Sequence, residues 1–158
     1  FVLDPIIKSS TGVELLKKDS VLLLKKRLFP LAMIITPNIN EAEILTGIKI
    51  KDEKDIRLAA KRLYEMSPKY VLIKGGHLKG EPNDFLYDGK KFKIFKGKRV
   101  KGIKFHGTGC VFSAAITAYL SKGLSVERAV GEAKKFINKA IKRAVVIGKG
   151  RRVLYKMP

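Results

Sequence analysis

Apolar and polar positions along the chain fall into short blocks that switch repeatedly between the strand and helix periods. "FVLDP" opens on an apolar run stopped by Asp4 and Pro5, as at the carboxyl end of a buried parallel strand. "KSSTG" then supplies turn residues. From Val13 to Leu28, apolar residues at Val13, Leu15, Leu16, Leu23, Leu24 and Leu28 predict one or two amphipathic helices, with Asp19-Ser20 as a break. "AMIITPN" predicts a second strand, ended by Pro37. In "NEAEILTG", Asn40 is a candidate cap, Glu41 and Glu43 stand where the helix dipole favours acids, and Gly47 closes the helix.

The alternation continues downstream. "DEKDIRLAAKRLYEM" has Asp52 as its cap and Ile56, Ala59, Ala60 and Leu63 on one helical face. "KYVLIKGG" is a third buried strand ending in a glycine pair, and "DFLYDG", "KKFKIFKG" and "RVKGIKF" predict an antiparallel meander with glycine turns. A helix is expected from about Thr108 to Ser121, and another, capped by Ser125, to roughly Val146. The basic tail "GKGRRVLYKMP" carries no clear period.

Strands alternating with helices call for a mostly parallel sheet covered on both faces, in one domain over residues 1–158. In such folds ligands sit beyond the carboxyl ends of the strands. That rule points to Asp4, Asn38, Lys74 with Gly75 and Gly76, and His106 to Cys110.

Composition narrows the class. With 46% hydrophobic residues the chain is no disordered segment, and 34 Lys+Arg against 14 Asp+Glu give a net charge of +20. That excess favours anions: nucleic acid, an acidic membrane surface or a phosphorylated small molecule. The basic residues are scattered, however, and Trp is absent, which leaves no obvious base-stacking platform and argues against nucleic acid. A lone cysteine makes no internal disulfide, so a reducing, cytoplasmic compartment is expected. Runs such as "VLLL" and "LAMII" are too short to span a bilayer. Opening on Phe, with a strand already under way, leads us to expect further sequence before Phe1.

Three stretches could carry chemistry. In "GTGC", Gly107 and Gly109 remove side chains, so backbone N–H groups at a helix start can approach an anion. A phosphoryl group in transfer gains most from such fixed donors, and a cysteine at a helix start has its thiol pKa lowered by the same field. The plain alternative is a glycine turn with Cys110 as a small buried filler. In "TPNINEAEILTG", Asn38 and Glu41 straddle a strand-to-helix turn where an amide and a carboxylate can face hydrated magnesium, unless they merely cap the helix. Asp4 is a third oxygen donor, or only a turn residue. In "VLIKGGHLKG", Lys74 can neutralise phosphates while the glycines permit close approach, and His77 can orient a ligand. Neither GxxxxGK[ST] nor GxGxxG is present.

Taken in order, "VLDPIIKSSTG", "ITPNINEAEILTG", "VLIKGGHLKG…DFLYDG" and "HGTGC…SAAITAYL" resemble the later part of a hydroxymethylpyrimidine (phosphate) kinase of thiamine biosynthesis, from Phe1 to about Ile141. The resemblance implies a ribokinase-like three-layer α/β/α fold and Mg-ATP-dependent phosphorylation of a small pyrimidine. Carried onto this chain, it implies Asp4 and Glu41 at the metal, with Asn38, Lys74 and His106 at the nucleotide. Gly107, Thr108 and Gly109 would form an anion hole, and Cys110 would stand where most ribokinase relatives have an aspartate base. Ile6 corresponds to a pocket-lining position. The chain departs from the family at Lys104 and Phe105, where an Asn-Thr pair is common. The family's opening half, with most of its pyrimidine pocket, has no counterpart here. The alternatives are a pyridoxal kinase of the same superfamily and a basic nucleic-acid-binding or regulatory protein built on a kinase half. Self-association stays open.

Overall fold

β-Branched and leucine-rich runs form the parallel strands: β1 (Val2–Leu3), β2 (Ile34–Ile35) and β3 (Val71–Lys74). β1 pairs in parallel with β2, and β2 with β3, while β4 (Asp84–Tyr87) and β5 (Phe92–Phe95) continue the sheet antiparallel, in the order β1-β2-β3-β4-β5. This computed structural model describes residues 1–9, 12–76, 81–97, 105–143, 145–147 and 151–153, with the strand segments at 105–106, 145–147 and 151–153 as backbone. The chain divides into two compact units, Phe1–Lys96 and Gly97–Pro158.

In the first unit, Ile35, Val71 and Ile73 of the sheet are sealed off from solvent with Phe29, Ala42, Leu45 and the buried face of α3 (Glu53–Tyr64). That face is Ile56, Ala59, Ala60 and Leu63, as the helical spacing predicts, and Asp52 caps α3 by accepting the N–H groups of Lys54 and Asp55. Burying a side chain of the size of Phe29 is worth about 1.5–3 kcal/mol.

The segment from Val13 to Leu28 differs from expectation. Ser9 and Val13 close a small loop, with the Ser9 N–H donating to the Val13 carbonyl at 2.8 Å and the Val13 N–H to Ser9 Oγ at 3.0 Å. α1 begins only at Lys18 and ends at Leu23, so Asp19-Ser20 lies inside it rather than breaking it. A π turn over Leu24–Leu28 follows, in which the Phe29 N–H reaches the Leu24 carbonyl, then a 3-10 turn over Phe29–Leu31 with Pro30 inside. The wider turn returns residue 29 rather than 28 to the inner face. Phe29 is therefore fully buried, while Leu23 and Leu28 from the predicted stripe are exposed, as are Val13 and Leu15 ahead of α1.

In the second unit, β6 (Phe105–His106), β7 (Val145–Ile147) and β8 (Arg151–Val153) form a separate sheet in the order β6-β8-β7. β6 therefore does not extend the β3–β5 meander; the rest of "RVKGIKF" lies outside the described residues. α4 (Thr108–Ser121) packs on α5 (Val126–Lys142), whose buried residues Val126, Ala129, Val130, Ala133 and Ile137 follow the helical period. α5 stops short of Val146 because the β-branched run Val145–Ile147 is taken into a strand pairing with β8. Among the described residues, no helix is long and apolar enough to cross a membrane.

Candidate nucleotide and metal site

Because β1, β2 and β3 run in parallel, their carboxyl ends share one edge of the sheet. Asp4 follows β1, Asn38 follows β2 across Pro37, and Lys74 ends β3. A backbone bridge joins Asn38 to Lys74, and the Lys74 N–H donates to the Pro37 carbonyl at 2.9 Å. The ends of β2 and β3 are thus fixed side by side by main-chain bonds, and the Thr36 N–H, donating to the Leu3 carbonyl at 2.9 Å, ties the end of β1 to β2.

The side chains continue the arrangement. Lys74 Nζ donates to Asp4 Oδ1 at 2.8 Å, and the two side chains are only 12% and 14% exposed. Thr36 Oγ1 lies 3.2 Å from the same Oδ1, and Thr36 itself is fully buried. Asn38, not Asn40, is the N-cap of α2 (Ile39–Thr46): Asn38 is in extended backbone, whereas Asn40 lies within the helix. Its Oδ1 accepts the Glu41 N–H at 2.9 Å, and Glu41 Oε2 accepts the Asn38 N–H at 2.7 Å, completing a capping box. The helix-capping reading of these two residues is therefore realised. It also orients them.

Glu41 is 5% exposed, and burial pushes its carboxyl up from the ordinary 4.5 to about 6. The Asn38 N–H and the positive charge of Lys74 pull it back down, and the charge of Asp4 adds a smaller upward push. Three charged groups at this edge thus sense one another. Two carboxylates beside an amide are hard oxygen donors, and a buried carboxylate next to another anion gains from a cation. This chemistry fits magnesium, which takes few protein ligands and keeps several waters.

The glycine pair splits into two roles. A Cβ on Gly75 would overlap the Asn83 carbonyl oxygen, so this glycine is required by its own chain rather than by a ligand. Its N–H donates to the buried Asp84 Oδ1 at 3.1 Å. Among the described residues, nothing lies within 4 Å of where a Cβ on Gly76 would be. Thr36 and Asp84 are the polar groups that sequence reasoning missed. The available signal was a polar residue at the margin of an apolar run, in "IIT" and "DFLY". Ile6 is 38% exposed, with its N–H bonded to the Asp4 carbonyl at 2.9 Å. His77 and Lys104 lie outside the described residues.

The second unit carries the glycine-rich helix start. Gly107 caps α4 in the left-handed region, φ 78°, where only a residue without Cβ is free of strain, and among the described residues nothing lies within 4 Å of where a Cβ would be. Among the described residues no side chain caps this N-terminus, and the first-turn N–H groups of an α-helix have no partner within the helix. Ser113 Oγ donates to the Gly109 carbonyl at 3.1 Å. Cys110 is exposed and is not a buried filler. Of His106 only the backbone, in β6, is described.

A family model described as phosphomethylpyrimidine kinase matches residues 1–154. The hydroxymethylpyrimidine/phosphomethylpyrimidine kinase of Aquifex aeolicus is 44% identical over 97% of this chain and 60% of its own length. The crystal structure of phosphomethylpyrimidine kinase from Clostridium difficile 630 superposes with a TM-score of 0.75 at 42% identity, covering 89% of this chain and 56% of that one. The pyridoxal kinase of Staphylococcus aureus in complex with ADP gives a TM-score of 0.89 at 32% identity, over 98% and 57%. The chain thus spans little more than half the length of these relatives. With the ordered polar ends of three parallel strands and a family match across nearly all its residues, the chain belongs to the phosphomethylpyrimidine kinase family, on a ribokinase-like α/β fold.

Proposed function

We propose that the protein phosphorylates hydroxymethylpyrimidine, its monophosphate, or both, using Mg-ATP, in thiamine biosynthesis. The observation that carries this reading is the joining of Asp4, Asn38, Glu41 and Lys74 at one sheet edge. Magnesium, when bound, neutralises the phosphate charge; Asp4 and Glu41 are the carboxylates that would hold it, through its waters, with Asn38 between them. Lys74 Nζ binds phosphate oxygens as a point charge. His106 is assigned to the nucleotide and Ile6 to the substrate, from the family resemblance.

From the family resemblance, the N–H groups at the start of α4 are assigned to the oxyanion that develops during transfer. The substrate hydroxyl attacks the terminal phosphorus, its proton passes to Cys110 Sγ, and ADP leaves. We read both units as one kinase domain, since the family match runs across both. The lone thiol suits a reducing, cytoplasmic setting.

The pyridoxal reading has a specific basis, the TM-score of 0.89 to a pyridoxal kinase. Sequence identity favours the pyrimidine: 42–44% to the two pyrimidine kinases against 32% to the pyridoxal kinase. The test offers the native protein Mg-ATP with hydroxymethylpyrimidine, its monophosphate or pyridoxal, and follows phosphoester products by phosphorus NMR. Pyrimidine phosphate and diphosphate are expected. Phosphorylation of pyridoxal alone would establish the rival, and no transfer to any of the three would overturn the kinase reading.

A further inference from the structure

Residues 17–31 expose leucines and cations together. α1, the π turn and the 3-10 turn follow one another without a break over residues 18–31, and they turn Val21, Leu24 and Phe29 toward the core. Leu22, Leu23, Leu28 and Leu31 are left exposed, the last at 67%. Lys17, Lys18, Lys26 and Arg27 are exposed among them, and Lys25 is half-buried. Helical spacing puts Lys18 and Lys26 one turn either side of Leu22, and Asp19 and Arg27 one turn either side of Leu23. Leucines and cations therefore share a face instead of separating into an apolar stripe and a polar one.

Charge sets the run apart as well. Residues 17–31 hold five cations and one carboxylate. On α3 and α5, exposed cations are matched by acids: Arg57 by Glu53, Arg62 by Glu65 and Lys135 by Glu132. Among the described residues, none of Lys17, Lys18, Lys25, Lys26 and Arg27 has a carboxylate partner. A second copy of the chain would set five cations against five, so this face repels itself. Nucleic acid would meet the cations but leave the leucines in water. An anionic bilayer surface meets both, because lipid phosphates take the cations while leucine side chains enter the boundary between headgroups and acyl chains.

We propose that residues 17–31 form a peripheral docking face for an anionic lipid bilayer. Leu22, Leu23, Leu28 and Leu31 seat at the headgroup boundary, and Lys17, Lys18, Lys26 and Arg27 lie against lipid phosphates. The contact is superficial and reversible, held by a few side chains and by charge. It goes beyond the kinase reading and does not depend on it, since none of these residues belongs to the proposed catalytic machinery.

The test is co-sedimentation of the native protein with extruded vesicles. Vesicles of phosphatidylcholine with about 30 mol % phosphatidylglycerol should bind it at least about tenfold more tightly than phosphatidylcholine alone. Leu22→Ser/Leu23→Ser changes two exposed positions and should weaken that binding about tenfold. Lys17→Gln/Lys18→Gln/Lys26→Gln/Arg27→Gln should weaken it at least as much. The control Lys61→Gln/Lys69→Gln/Lys139→Gln/Lys142→Gln removes the same charge from other exposed positions and should weaken it less than about threefold. No binding of the wild type to anionic vesicles, or equal binding to both kinds, would overturn the proposal. So would a folded leucine variant that binds as wild type does. Equal losses in the two charge sets would also overturn it, because the net charge of +20 would then account for the binding without this face. If the leucine variant does not fold, the two charge sets decide.

Discussion

Replacing Glu41 with Gln should stabilise the ligand-free protein while damaging its site. Glu41 is 5% exposed, and burial pushes its carboxyl up from 4.5 to about 6. Ionising it in the folded protein therefore costs about 2 kcal/mol more than in the unfolded chain. The sign follows from the direction of the shift. The advantage of the protonated carboxyl is complete below about pH 4.5 and is lost as pH rises through about 6. Gln cannot ionise, has nearly the same shape, and keeps an oxygen to accept the Asn38 N–H of the capping box. Glu41→Gln should thus be more stable than wild type by about 1–2 kcal/mol at neutral pH, and equal to it well below pH 4.5. Urea unfolding of both proteins across this pH range reads the difference directly. A variant less stable than wild type at neutral pH, or a gap that does not change with pH, would refute the reasoning. The same variant should need more magnesium for turnover, since it lacks one of the two carboxylates proposed to face the metal.

Two further substitutions bear on the glycine-rich stretches and the thiol. Cys110→Ala should lower turnover about 100-fold or more while ATP binding, measured by calorimetry, stays intact; full turnover would remove Cys110 from the proton-accepting role. Gly75→Ala forces a Cβ onto the Asn83 carbonyl and should cost at least about 2 kcal/mol in urea unfolding. Among the described residues nothing lies within 4 Å of where a Cβ on its neighbour Gly76 would be, so Gly76→Ala should stay within about 0.5 kcal/mol of wild type, and equal losses at both positions would contradict the split roles.

Much of the first unit was legible because its signals are local. Asp52 and the Ile56–Leu63 face of α3 follow directly from capping chemistry and helical spacing. Strand endings marked by Asp4, Asn38 and Lys74 were readable for the same reason, and the parallel sheet then brings them together. What escaped depends on contacts distant in sequence. The Lys74–Asp4 pair spans seventy residues, and nothing local distinguishes a lysine aimed at a carboxylate from one aimed at solvent. The cap shifted from Asn40 to Asn38 because the turn after Pro37 decides where helical backbone begins. The π turn at Leu24–Leu28 was hidden because leucines on both sides of α1 give the same apolar pattern in either helical period. Val145–Ile147 looked like more helix until β8, its pairing partner, was known.

The central claim is that the carboxyl edge of β1, β2 and β3 holds Mg-ATP. It is tested most directly by titrating the isotope-labelled native protein with Mn-ATP and following paramagnetic broadening of its amide resonances. The account predicts that the amides of Asn38, Glu41 and Gly75 broaden at the lowest Mn-ATP ratios. If these three stay sharp while amides elsewhere in the first unit broaden, the metal and its nucleotide bind elsewhere, and the assignment of Asp4, Asn38, Glu41 and Lys74 is wrong.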